Sequence, residues 1–425
     1  MAETTLNRRD FVRAAVGTCV LVAGCDTLDT AASQAGPSTW RIERLTRGPR
    51  HHFFGYYGIC PWNGSGQSLL CLESTFQDHM PGPNEPASIG LVDARSGAFS
   101  PIAQTHAWNF QQGAMLHWNP LRPNTEIIYN DREDDEIVSV ILDVTTGKKR
   151  RLPRAINAVS HSGKYALSLT YGRLGRLRKV VGYNGIADPN PNSPHPDSDG
   201  VFLMDLTSGD VRLAVSIRRV YEMLKPDHPE LADAHLWFNH VVFNRSDTRF
   251  FFLARTRKPS GGLETGMFTA NRDGTDLRQV IPYGKSVSHF DWRNDREIIA
   301  TFSLHGRGRT HVLFTDGQRG YQHLGDGQLD FDGHCTFSPD QQWLATDRRS
   351  SGAFGRSLIL YDMQRGECTT LAEIDMKERR FLSGDLRCDF HPRWSRTGDA
   401  ICFDAIDPAT ATRQLHIAHL QFPAK

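Results

Sequence analysis

The sequence predicts an all-β fold, a seven-bladed β-propeller closed by an N-terminal strand in the last blade. Three observations predict it. A strand–turn–strand pattern recurs seven times, a second apolar pattern with an Asp and a Gly-containing turn follows each copy, and the last copy runs into the C-terminus one strand short.

The first pattern is an aromatic or apolar residue, a polar turn and a short apolar run. It occurs as PWNGSGQSLLC (61–71), HWNPLRPNTEIIY (117–129), AVSHSGKYALSL (158–169), VVFNRSDTRFFFL (241–253), FDWRNDREIIATF (290–302), CTFSPDQQWLATD (335–347) and PRWSRTGDAICFD (392–404). Each reads as two strands joined by a tight turn. The second pattern follows as LVDARSGAF (91–99), ILDVTTGKKRRL (141–152), LMDLTSGDVRL (203–213), TANRDGTDLRQV (269–280), LFTDGQRGYQHL (313–324) and LYDMQRGECTTL (360–371). The seventh copy, LHIAHLQF (415–422), lacks its outer strand, and TWRIERLT (39–46) is left to supply it, which removes the open edges of the ring. One helical segment is expected, around 216–234, between blades three and four.

Ahead of the propeller, residues 1–25 read as an address rather than fold. Asn7-Arg8-Arg9-Asp10-Phe11 resembles a twin-arginine export signal, an apolar stretch too short to span a bilayer follows, and Leu21-Val22-Ala23-Gly24-Cys25 resembles a bacterial lipobox. That resemblance implies a lipid on Cys25, residues 26–38 as a flexible tether, 39–425 as the propeller, and a cell-envelope location on the periplasmic side or cell surface, with the membrane as a partner through the anchor. Six cysteines follow Cys25 with no CxxC pair, which argues against a zinc ribbon; Cys71 and Cys402 read as buried thiols in strands.

The chain has 49 basic and 48 acidic residues, and 39% of it is apolar. A near-neutral chain lacks the basic excess of a nonspecific nucleic-acid binder, so no nucleic-acid partner is expected. No GxSxG elbow, P-loop or dinucleotide fingerprint stands in a suitable context.

Propeller topology assigns faces. The turns between first and second strands are tight, whereas the connections between second and third strands, and between blades, are long, which marks the working face. His240, His289, His334 and His391 each stand three residues before the aromatic marker of an inner strand (Phe243, Trp292, Phe337 and Trp394), so four imidazoles are expected to converge at the mouth of the axial channel. Asn157 takes a comparable place in blade three and Gln111 or Gln112 in blade two. The long connections carry arginines, among them Arg132, Arg173, Arg176, Arg178, Arg255, Arg309 and Arg348, which suit bidentate carboxylate recognition. Tyr56, Tyr57, Trp108, Tyr171, Tyr183 and Trp237 lie in the same neighbourhood.

With HVVFN at His240, SHFDW at His289 and GHCTFSPD at His334, the chain resembles the oligogalacturonate lyase family and the Tol-type periplasmic propellers over roughly 40–422. The resemblance implies a divalent metal, typically manganese, at the channel mouth. It implies His289 and His334 as ligands, joined here by His391 at the same register, with His240 nearby. The family's Gln ligand ahead of the His334 position is absent, and Leu329 and Asp332 stand there.

The chemistry implied is β-elimination on an acidic, uronate-containing oligosaccharide. A metal or Arg neutralises the carboxylate, a base removes the C5 proton and an acid assists the leaving oxygen at C4. His240, Arg173 and Tyr183 are the expected catalytic groups; Gln112, Arg132, Asn157, Arg255 and Arg348 are expected to bind substrate. The alternative from another class is a noncatalytic propeller that binds glycan or protein at the cell envelope.

Overall fold

The computed structural model describes residues 36–304, 306, 308–350, 352 and 354–423. The expected signal, the Cys25 lipidation site and nearly all of the tether lie outside the described residues. Residues 35–425 form one compact unit.

Seven four-stranded antiparallel sheets make up this unit. Six are built from consecutive strands. The seventh takes its inner three strands from the C-terminus, Arg393–Trp394, Ala400–Asp407 and Thr412–Gln421, and its outer strand from Thr39–Arg44. The register runs from Thr39 opposite Gln421 to Arg44 opposite His416. The Trp40 indole N–H reaches across to the Leu371 carbonyl of blade six at 2.9 Å. The N-terminal strand therefore closes the ring, as expected.

The recurring residues have local causes. In blade after blade the tight inner turn is closed by one backbone bond, as in Asn63 N to Ser68 O, Ser160 N to Tyr165 O and Ser395 N to Ala400 O. The Asp of the outer turn accepts from the two or three backbone N–H groups that follow it. Asp143 bonds Thr145 and Thr146, and Asp205 bonds Thr207 and Ser208. The Gly that completes this turn has positive φ, 74° at Gly147 and 83° at Gly209, where a side chain would be strained. The aromatic markers join neighbouring blades: the Trp118, Trp292 and Trp394 indoles donate to the carbonyls of Pro61, Val242 and Thr336 in the preceding blades. Central strands are buried on both faces, so they read as continuous apolar runs such as Phe250-Phe251-Phe252-Leu253-Ala254, all fully buried.

The helix expected near 216–234 is Ile217–Leu224, capped by Ser216, whose hydroxyl accepts from Arg219 N. A second helix, Tyr171–Leu177, was not expected; it begins the long connection of blade three. All six described cysteines are free, with Cys71 and Cys402 buried. No helix among the described residues is long and apolar enough to cross a membrane.

Candidate active site at the channel mouth

His240, His289, His334 and His391 line one cavity of about 190 Å³. Their shared register brings them there from blades four to seven. The His289 and His334 ring centroids are 4.0 Å apart, and those of His334 and His391 are 4.3 Å apart. Two of the four need unusual backbone. His240 has φ 57° within a bulge of the strand Trp237–Phe243, and His391 has φ 43° directly before Pro392. Such conformations cost on the order of 1–3 kcal/mol each and concentrate where a side chain must be aimed.

Two of the imidazoles are oriented by carboxylates. His289 Nδ1 lies 2.7 Å from Asp332, which also accepts from the Thr301 hydroxyl at 2.6 Å and pairs with Arg309. His334 Nδ1 lies 2.9 Å from Asp347. The fully buried Asp347 also accepts from the backbone N–H groups of His334 and Phe390 and from Arg356, whose other terminal nitrogen donates to Asp389 at 2.8 Å. Burial alone would raise the Asp332 and Asp347 carboxyls. The hydrogen bonds from His289 and Thr301 with the Arg309 charge, and the hydrogen bond from His334 with the Arg356 charge, outweigh it and hold both well below the usual carboxylate range. With Nδ1–H donated to a carboxylate, each ring keeps its Nε2 lone pair for another partner. Burial holds His240, His334 and His391 below the ordinary imidazole value, which favours the neutral, ligating form.

Arg178, Arg255, Arg309 and Arg387 line the same cavity. Arg309 and Arg387 are paired with Asp332 and Asp389. Arg178 and Arg255 have no carboxylate partner among the described residues, and the Nε of each is buried without a hydrogen bond. Burial, with Arg178 adding repulsion, pushes the Arg255 guanidinium down to about 10. Two uncompensated guanidinium groups in one cavity with four imidazoles suit an anion.

The floor comes from an unexpected quarter. Blade one's inner strand, His51–Phe53, ends early, and the chain at 54–60 crosses the axis. Tyr56 Oη lies 2.5 Å from His240 Nδ1. The Tyr57 ring lies 4.5 Å from Phe290 and within 6.2 Å of His240, His289, His334 and His391. Arg393 holds this crossing by donating to the Tyr56 carbonyl. Burial raises both tyrosine hydroxyls, keeping them protonated donors.

Several expected site residues stand elsewhere. Arg173 is 2% exposed; its guanidinium is spent on Asp188 and on the Ser193, Pro194 and Leu236 carbonyls, where it organises the Pro-rich loop. The expectation of Arg173 at the rim is corrected on this ground. Tyr183 is stacked on Tyr171 at 4.2 Å, within hydrogen-bond reach of Asn130, and does not line the mouth. Asn157 donates to the Tyr171 hydroxyl and accepts from Leu169 N, and Gln112 donates to the Val181 carbonyl. Arg132 is tied to the carbonyls of Asn184 and Gly185, and Arg348 lies over the Phe331 ring; neither lines the mouth. Arg255 is where it was expected, and Gln111 rather than Gln112 lines the cavity. Arg387 carries no local signal in the sequence, and Arg178 and Arg309 read there only as loop arginines.

An oligogalacturonate lyase solved in complex with manganese superposes with TM-score 0.63 at 15% identity, covering 92% of this chain and 94% of that one. The oligogalacturonate lyase of Vibrio parahaemolyticus gives 0.60 at 10% identity, with 91% and 96% covered. The chain has the seven-bladed propeller fold of the oligogalacturonate lyases. The propeller domain of the Trilobed protease from Pyrococcus furiosus, described as having an open velcro topology, also matches, with TM-score 0.50, 10% identity and 84% and 90% covered. No family model and no curated protein sequence matches the chain.

The residues at the mouth fit a divalent cation. His334, Asp389 and His391 each offer a ligand atom within 4.8 Å of the others, His289 adds a fourth donor beside His334, and the carboxylate-backed imidazoles are the arrangement such ions use.

Proposed function

We propose that the chain is a lyase that cleaves uronate-containing oligosaccharides by β-elimination, exported by the twin-arginine route and lipid-anchored at Cys25. The observation that carries the catalytic reading is the pair of uncompensated guanidinium groups, Arg178 and Arg255, in one small cavity with four imidazoles.

His289, His334 and His391, with Asp389 beside them, would hold a divalent cation, which would supply charge neutralisation for a uronate carboxylate and so acidify the C5 proton. Arg178 and Arg255 bind acidic groups of the sugar chain. His240, neutral and with its Nδ1–H donated to Tyr56 Oη, accepts the C5 proton on Nε2. The C5–H electron pair forms the C4–C5 double bond as the C4–O4 bond breaks, and O4 leaves with a proton supplied by Tyr56 Oη or water. Tyr57 closes the floor and limits solvent at the reacting centre.

The test is an unsaturated product, read by ultraviolet absorbance, from a panel of polyuronide oligosaccharides with and without manganese. A noncatalytic glycan-binding propeller binds the panel and leaves every member intact. For the anchor, Cys25→Ala is expected to move the protein from the membrane to the soluble fraction; unchanged fractionation counts against it.

A further inference from the structure

A second cavity, of about 360 Å³, occupies the opposite end of the channel. Tyr57 lines both cavities and is the wall between them. Three guanidinium groups, Arg245, Arg393 and Arg396, line the second cavity against one carboxylate, Asp291. Among the described residues Arg393 donates to the carbonyls of Tyr56 and Pro392 alone. Arg245 and Arg396 use Nε on the carbonyls of Arg293 and of Trp62 and Asn63, which leaves their terminal nitrogens without a hydrogen-bond partner among the described residues. His117, 6% exposed, also lines the cavity, and its Nε2 is buried with no hydrogen bond. The rings of Trp118, Phe243, Phe290, Trp292, Phe337 and Trp394 form much of the remaining wall, with small apolar and hydroxyl side chains and His161 among them. Because the indole N–H groups of Trp118, Trp292 and Trp394 are spent on neighbouring blades, these rings offer the cavity apolar surface alone.

We infer that this cavity is a separate binding site for a small organic carboxylate of monosaccharide size. The free forks of Arg245 and Arg396 match a carboxylate in bidentate geometry, His117 offers one further polar contact, and aromatic walls suit a ring better than an inorganic ion. The site shares no polar side chain but Tyr57 with the mouth, so it stands whether or not the mouth is a lyase.

The test is calorimetric titration with D-galacturonate, and with neutral D-galactose for comparison, on the Arg178→Ala/Arg255→Ala protein, whose mouth is disabled. The expected result is one galacturonate binding event per chain, weakened about tenfold or more by adding Arg245→Gln or Arg396→Gln, with galactose not binding. Arg396 is exposed, so R396Q keeps the fold, and in the otherwise wild-type protein it is expected to leave product formation at the mouth unchanged. No binding in the mouth-disabled protein, binding indifferent to both substitutions, or equal binding of galactose overturns the inference.

Discussion

The Tyr56 hydroxyl lies 2.5 Å from Nδ1 of His240, although 184 residues separate them in the chain. Burial pushes the tyrosine hydroxyl up and the imidazole down, so the proton stays on oxygen and the ring stays neutral. In the tautomer that donates Nδ1–H to the Tyr56 oxygen, Nε2 keeps its lone pair as the base and the Tyr56 O–H is free to donate onward, which is what proton transfer at a sugar carbon requires.

Tyr56→Phe removes only this hydroxyl. Turnover of an acidic oligosaccharide is expected to fall by about 100-fold, with KM little changed and the circular dichroism spectrum preserved. Full activity of Y56F in steady-state kinetics excludes Tyr56 from the proton path.

Arg178→Ala and Arg255→Ala each remove a cation that no carboxylate balances. Each is expected to raise KM for acidic oligosaccharide by about tenfold or more. Thermal melting is expected to hold or rise, since each change relieves an unpaired buried charge. A melting temperature that collapses in both variants assigns them a structural role instead.

Asp332 and Asp347 orient His289 and His334 from behind. Because Asp332 is the more exposed of the two, Asp332→Asn tests this with less risk to the fold. Manganese affinity by calorimetry is expected to drop by about 10–100-fold. Unchanged affinity removes His289 from the ligand set.

His117 tests stability against pH away from the mouth. Burial holds its imidazole down to about 4 in the folded protein, against an ordinary 6.5. The unfolded chain therefore takes up a proton between these values and the folded one does not. Stability from this residue is full above about 6.5 and is lost as pH falls toward about 4. The loss is on the order of 3 kcal/mol. His117→Leu is expected to flatten the decline in urea-unfolding free energy across this window; an unaltered slope shows that His117 does not titrate on unfolding.

The ring was legible because each blade repeats its own turn chemistry, and the four histidines because they share one register in it. Tyr56 and Tyr57 were seen only as nearby aromatics, since blade one departs from the repeat at 54–60 and nothing local says that a loop crosses to four other blades. The arginines of blade three show the limit most sharply. Arg173 and Arg178 stand five residues apart, yet the helix Tyr171–Leu177 turns the first into the Pro-rich loop, while the second leaves the helix end toward the mouth. Which guanidinium is consumed by carbonyls depends on contacts with residues 188–194 and 236, beyond the reach of local pattern.

The mass of the products formed from a short oligogalacturonate by the manganese-loaded protein tests the central claim most directly. β-Elimination gives a saturated fragment and an unsaturated one lighter by one water than its hydrolytic counterpart, and both disappear in His240→Ala. Two saturated fragments, or an intact substrate in a protein shown to bind both manganese and the oligosaccharide, contradict the account.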